Sequence, residues 1–417
     1  MTASPLAFAF GPTHRMISRA LHRCALLVAL ATFILLIAGG LVTSHGVGMA
    51  VPDWPNSYGY NMFFFPVSQW VGGIFYEHSH RLIASIVGLL TSILTLWLYG
   101  WKSRPVSRWT GAFLLAGGGL LIVASSTRKQ DGIVLAVLGL PLLLMSFVWP
   151  RSEPAPRWLR RLGLAAFVAV VLQGMLGGLR VVLLKDELGI FHAALAQLFF
   201  VLVCLLALFT SPWWWRVTRR REGAASVGID PLVRFWFAAS TSLIFAQLIL
   251  GATMRHQHAG LAIPDFPLAY GKLWPAMDPK GTKSYNRQRI EVTAANPITA
   301  FQIGLHMAHR SLGFAIFACV SAAAVVARRR LGSQNGLSRI ALLWNGLLAL
   351  QIGLGAATIW SNKAADVATA HVMVGAVSLV LGAIACVISA RAPLFAGSLS
   401  SSADLAGRKP LVLLWDL

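Results

Sequence analysis

The segment Glu77-His78-Ser79-His80-Arg81 sits in an otherwise apolar stretch. It puts a carboxylate three residues ahead of an imidazole, on one helix face at about 5–6 Å. Ionisable groups in such surroundings are costly to bury, and they turn toward a bundle interior with a partner. The chain has eleven histidines, and internal repetition separates four of them from the rest. "YEHSHRLIAS" (76–85) pairs with "LHMAHRSLGF" (305–314), which sets His80-Arg81 against His309-Arg310. "LQGMLGGLR" (172–180) pairs with "LQIGLGAAT" (350–358), and "FHAALAQ" (191–197) with "AHVMVGA" (370–376), which brings His192 opposite His371 within one residue.

Two facing imidazoles in each half suit both axial positions of a haem, and small residues such as "GGL" and "GLGAA" leave room for a flat macrocycle. Zinc fits less well, because it takes four ligands and neither cysteines nor enough carboxylates accompany these histidines. Propionates would point toward Arg81 and Arg310, each beside an axial ligand and each equally able to snorkel to the interface. The halves differ chemically. Glu77 stands beside His80, a candidate base or electrostatic partner for reaction at the ring, whereas His306 takes that place in the second half. One half therefore does chemistry and the other holds a cofactor or passes electrons. His78 faces elsewhere on the helix and reads as structural.

The elements that must position these groups are membrane helices. Of 417 residues 57% are hydrophobic and 12% charged, with mean hydropathy +0.68, a composition far too apolar for a water-soluble domain. Spans are expected near 24–44, 78–100, 110–126, 133–149, 161–183, 189–210, 232–254, 303–327, 337–360 and 367–390, each close to the length that crosses a hydrocarbon core of about 30 Å. The formal charge of +21 sits in short Arg-rich connectors, as the positive-inside rule requires, and does not indicate nucleic acid. The rule puts both termini in the cytoplasm, with 1–23 and 391–417 as cytoplasmic ends. The long loops, roughly 45–77 and 255–302, lie on the other side. The apolar run after Arg23 is long for a signal peptide and reads as a retained first helix. "WWW" (213–215) fits an interfacial aromatic belt.

One loop is spelled twice: "GMAVPDWPNSYG" (48–59) and "GLAIPDFPLAYG" (260–271). Its Pro-Asp-aromatic-Pro order suits a rigid turn with an aromatic anchor, and Asp53 and Asp265 are expected to cap it. With the other repeats it defines two homologous four-helix halves, 24–212 and 232–390, joined by a linker at 213–231. An even number of spans puts them in the same orientation. The fold class is thus an all-α polytopic membrane protein of two tandem four-helix bundles, with an added hairpin at about 110–149. The Lys and Arg residues of the loop extension 277–297 could form a docking surface or be solvated loop, and the second reading is favoured.

These motifs resemble the haem A synthases, the Cox15/CtaA type of membrane oxidoreductase. The resemblance rests on "GGLVTSHGVGMAVPDWP", "EHSHR", "VLQGMLGGLRV", "FHAALAQ" and their weaker second copies, and it runs from about 24 to 390. It implies that His80 and His192 ligate the substrate haem O, that His309 and His371 ligate a haem b cofactor, and that Glu77 is the functional carboxylate. It implies oxidation of the C8 methyl of haem O to a formyl group by successive hydroxylations and loss of water, giving haem A for cytochrome oxidase. A haem O synthase, an electron-transfer partner and a second copy of the chain are candidate partners, and a bacterial-type cell membrane is the expected location. The hairpin is additional to that family's usual eight helices, and no cysteine pair lies in the outer loops. The alternative is a two-haem, cytochrome b-like electron carrier. A parallel-repeat transporter without a redox cofactor is a third reading.

Overall fold

A computed structural model describes residues 18–219, 229–288 and 296–390. Its helices in chain order are α1 (Arg19–Ser44), α2 (Gly72–Tyr99), α3 (Arg104–Ala124), α4 (Lys129–Val148), α5 (Arg157–Val182), α6 (Glu187–Thr210), α7 (Pro212–Arg219), α8 (Pro231–His256), α9 (Pro279–Gln288), α10 (Ala300–Leu331), α11 (Gly336–Trp360) and α12 (Ala365–Ala390). Among the described residues the only strands are a two-residue pair, Asn56–Ser57 against Tyr60–Asn61. The protein is an all-α polytopic membrane protein. Of the expected segments, residues 1–17 of the N-terminal end, 220–228 of the linker, 289–295 of the loop extension and the tail 391–417 lie outside the described residues.

Several helix starts are written in the sequence. Ser18, Asp230 and Asn335 cap α1, α8 and α11 through their side chains, and Thr299 with Gln302 forms a reciprocal capping box at α10. Nine helical runs among the described residues are long and apolar enough to cross a membrane. The longest, Gly72–Ala124, is interrupted at Gly100, whose φ of +58° ends α2. It therefore contains two helices, which restores the ten expected spans.

Packing groups these helices into two closed rings. α1, α2, α5 and α6 contact one another in cyclic order, and so do α8, α10, α11 and α12. The rings meet where α1 and α6 face α8 and α12. Arg255 fastens this seam, donating to the Gly40 carbonyl at 2.9 Å and to the Ser44 hydroxyl. Ser44 in turn lies 3.0 Å from the Thr369 hydroxyl. A side chain on Gly40 would put its Cβ 2.8 Å from Thr369 Cγ2, so the close approach of α1 and α12 depends on that glycine.

The α3–α4 hairpin stands apart from both rings and packs almost entirely on itself. Its two helices interlock at Gly111, Gly118, Gly132 and Gly139, where any Cβ would fall 2.5–2.7 Å from the opposing backbone. Asn61 donates to Asp131 at 2.8 Å, which puts the hairpin tip level with the first long loop. Its two ends meet again near Gly100, where Trp101 N–H donates to Ser152 and Ala155 N–H to Leu98.

Two expectations need correction. Trp214 and Trp215 are only 3% and 6% exposed, and Trp215 donates to the Phe209 carbonyl at 2.8 Å. These two pack into the core of the first ring instead of facing an interface, whereas Trp213 is 38% exposed. The extension in the second long loop keeps Lys280, Lys283 and Arg287 exposed, as expected of solvated residues, but it is not irregular chain throughout. Its residues 279–288 form α9, Tyr285 stacks on Tyr270 with centroids 3.6 Å apart, and Asn286 brackets Ile298 with hydrogen bonds of 2.7 and 2.8 Å.

Candidate functional site

The repeated loops come first, because they roof the site. Asp53 accepts the N–H groups of Tyr58 (2.7 Å) and Gly59 (2.8 Å). Asp265 accepts those of Tyr270 (2.7 Å) and Gly271 (2.8 Å). The two tyrosines hold the left-handed conformation at φ +50° and +53°, and their hydroxyls donate to Ala50 and Ala262. Both carboxylates are thereby engaged in shaping a turn, as Asp side chains commonly are.

Arg81 and Arg310 grip the same loops from below. Arg81 donates to the carbonyls of Val51 (2.8 Å), Asp53 (2.6 Å) and Asn56 (3.0 Å). Arg310 donates to Ile263 (3.5 Å), Asp265 (2.7 Å) and Leu268 (2.9 Å). These carbonyl positions correspond one for one between the repeats. The guanidinium groups therefore position the loops first, and any effect they have on an anion in the cavity comes through their charge.

Glu77 is 4% exposed. One oxygen accepts from Arg81 at 2.8 Å and the other from Val51 N–H at 2.9 Å. In the second ring His306, 3% exposed, has no hydrogen-bond partner at Nδ1. His78 is fully buried against Phe65 and Trp70 and lies 3.1 Å from the Ser57 hydroxyl. It packs the first loop onto α2, in keeping with its structural reading.

His80, His192, His309 and His371 all line one continuous cavity of about 650 Å³ that runs through both rings, together with Glu77, Arg81 and Arg310. This lies within the roughly 300–1,000 Å³ typical of small-molecule sites. Trp54 and Phe266, the aromatic residues of the repeated loops, line it as well. Trp54 lies flat on Gly178, where any Cβ would collide with its indole. Phe266 packs between Phe314 and Trp360.

Each of the four imidazoles rests on a glycine of a neighbouring helix, a feature that sequence reading did not single out. A Cβ on Gly39, Gly177, Gly251 or Gly355 would lie 2.9, 3.3, 3.1 and 3.1 Å from Cε1 of His80, His192, His309 and His371 respectively. Four residues before these glycines stand Leu35, Gln173, Gln247 and Gln351. Gln173 and Gln247 donate to the backbone carbonyls of His192 (3.0 Å) and His309 (2.8 Å). The Gln351 carbonyl lies 3.1 Å from His371 Nδ1. The recurring Gln-x-x-x-Gly was the available signal, and it is present in three of the four helices.

This arrangement fits a haem. Nδ1 of His80, His192 and His309 is buried without a hydrogen-bond partner; in His371 Nδ1 faces the Gln351 carbonyl at 3.1 Å and Nε2 lies 3.5 Å from the Gln351 amide nitrogen. His309 and His371 have ring centroids 6.3 Å apart, a spacing at which the two imidazoles would hold one haem iron between them. Among the described residues no group of three or more His, Cys, Asp or Glu converges on a bare metal ion. A cofactor that brings its own equatorial ligands matches two imidazoles better than an isolated cation does.

The fold and site define a membrane protein of two helical rings with paired histidines facing a shared cavity. Residues 131–383 match the model of the COX15-CtaA family, described as cytochrome oxidase assembly protein, and the chain belongs to that family. It is 24% identical over 361 residues to a "Heme A synthase" of Geobacillus kaustophilus, covering 85% of this chain and 86% of the relative. It is 30% identical over 260 residues to a protein of the same name from Rhodopseudomonas palustris, covering 60% and 65%. A Caulobacter "Heme A synthase" is 33% identical over 172 residues, 41% of this chain and 43% of the relative.

Proposed function

We propose that this protein is a haem A synthase, an integral membrane enzyme that converts haem O to haem A by oxidising the C8 methyl to a formyl group. The observation that carries the reading is the pair of facing histidines in each ring of a chain belonging to this family. His80 and His192 hold the substrate haem O. His309 and His371 hold haem b, whose contribution when bound is redox chemistry at the iron. Glu77, between Arg81 and the first loop, is the acidic group at the substrate ring, and His306 marks the ring that lacks it. The relatives' shared name favours this reading over a cytochrome b-like electron carrier. Both termini face the cytoplasm by the distribution of arginines, so the roofed ends of both sites open toward the opposite side.

Within this assignment the chain's own residues do three things. Glycine seats orient the imidazoles, with the Gln351 carbonyl adding to this at His371. Trp54 and Phe266 close the cavity from above and keep water from its edge. The Glu77–Arg81 ion pair places a carboxylate and its counter-charge on the His80 helix, a net-neutral dipole in a region of low dielectric where its orientation acts strongly. The deciding test is pigment extraction with mass analysis from cells that make haem O, with and without this protein. Haem A is expected only in its presence; unchanged haem O would overturn the assignment.

A further inference from the structure

Five cationic side chains line the cavity, Arg81, Arg180, Arg255, Arg310 and Lys363, against a single carboxylate, Glu77. With Asp186 paired to Arg180, the wall carries an excess of three positive charges (five minus Glu77 and Asp186), in a cavity whose other lining is mostly apolar. Such an excess is costly unless the occupant supplies anions. Two haems, each with a pair of propionate carboxylates, would supply four.

Arg81 and Arg310 already direct their terminal nitrogens at the loop carbonyls. The remaining three cations are differently placed. Arg180 follows the His192 seat, Gly177, by three residues, and Arg255 follows the His309 seat, Gly251, by four. Each therefore stands one turn beyond a seating glycine on the same helix face, toward the long loops. Arg180 holds Asp186 through one nitrogen at 3.2 Å, and that carboxylate is about half exposed, with 49% of its side chain accessible. Arg255 uses Nη2 for Gly40 and Ser44, and among the described residues the structure gives its Nη1 no protein partner. Lys363, in the turn between α11 and α12, has no side-chain partner among the described residues.

The backbone at Lys363 points the same way. Asn362 and Lys363 are consecutive non-glycine residues in the left-handed region, at φ +51° and +64°, an unfavourable pairing that persists only where the surroundings hold it. Lys363 N–H is tied to the Thr358 carbonyl at 2.7 Å. Burial, with the Arg255 charge beside it, holds the ammonium below its ordinary range, so an anion brought there removes an existing penalty.

We propose that Arg180, Arg255 and Lys363 form a carboxylate-binding rim that takes the propionates of the bound macrocycles. Arg180 serves the His80–His192 side, and Arg255 with Lys363 serves the His309–His371 side. The proposal rests on the haem reading of the cavity and adds a site to it. It makes the rim the device that fixes how each macrocycle is rotated about its axial histidines, because two imidazoles alone leave that rotation free.

The test titrates the detergent-purified full chain with iron protoporphyrin and with its dimethyl ester, following the Soret band. The wild type should bind the free acid at least tenfold more tightly than the ester. Lys363→Gln should lose about tenfold for the free acid and nothing for the ester, while Lys363→Arg should behave as wild type. Arg180→Gln should lower the preference in the same way. Retention of the wild-type preference by both Gln variants overturns the rim and leaves haem binding standing. Equal loss of both pigments in Lys363→Gln also overturns it, since carboxylate recognition must tell the two apart. Absence of any Soret change with the wild type sinks the haem reading itself, and the rim with it.

Discussion

At the scale of single residues, the site depends on atoms that are absent. Gly355 leaves His371 its place, and a methyl group there would sit 3.1 Å from the imidazole. Overpacking of this kind costs about 1–3 kcal/mol, and here it would be relieved by tilting the ring away from its partner. Gly353, two residues earlier on the same helix, faces open space, with nothing within 4 Å of where a Cβ would stand. Gly355→Ala should therefore purify with markedly less haem, read as Soret absorbance per protein, whereas Gly353→Ala should keep it. Comparable haem in both would remove the seating role. Glu77 raises the opposite question, since its oxygens are already engaged by Arg81 and Val51. If it acts on the substrate, Glu77→Ala should bind haem normally and yield no haem A. Undiminished haem A would reduce it to a loop clamp.

At the scale of elements, the two repeated loops and the hairpin show how differently similar-looking additions are built in. Each loop is closed by an Asp, a left-handed Tyr-Gly pair and an arginine from the helix that carries a histidine, so loop and ligand move as one unit. This fits the motif's occurring twice, once ahead of α2 with His80 and once ahead of α9 and α10 with His309. The α3–α4 hairpin has no comparable tie. It interlocks with itself through glycines, holds the loop by the Asn61–Asp131 bond, and leaves and rejoins the first ring at one point. Arg104 reaches the Pro150 carbonyl at 3.1 Å, so the cut ends are neighbours. Deleting residues 104–149 should consequently leave haem content unchanged and shift the thermal midpoint by only a few degrees. A protein that no longer accumulates or binds haem would show that the hairpin supports the ring.

At the scale of the whole molecule, two rings of the same design are proposed to carry different chemistry, and the seam between them combines apolar packing with the Arg255, Ser44 and Thr369 hydrogen bonds. His309→Ala or His371→Ala should remove the haem that stays bound through purification. His80→Ala or His192→Ala should leave that haem in place and abolish turnover of haem O. Equal loss from all four variants, measured by pigment extraction, would contradict the division of labour. The cavity runs through both rings, so the two sites share one low-dielectric interior, in which a charge at one is poorly screened from the other.

The sequence by itself determined the helices, the duplication and the four histidines. Apolar runs of membrane length declare themselves locally, and repetition singled out His80, His192, His309 and His371 without knowledge of their neighbours. The loop turns were legible too, since Asp-to-backbone capping is a contact over five or six residues. What only the tertiary structure decided are contacts between segments far apart in the chain. The glycine seats pair α1 with α2, α5 with α6, α8 with α10 and α11 with α12, and a glycine's role is set by what approaches it, which no local pattern records. The carbonyl targets of Arg81 and Arg310, the burial of Trp214 and Trp215, and the convergence of Arg180, Arg255 and Lys363 on one cavity have the same origin. Each depends on distance in space, and helix packing, not chain order, sets that distance.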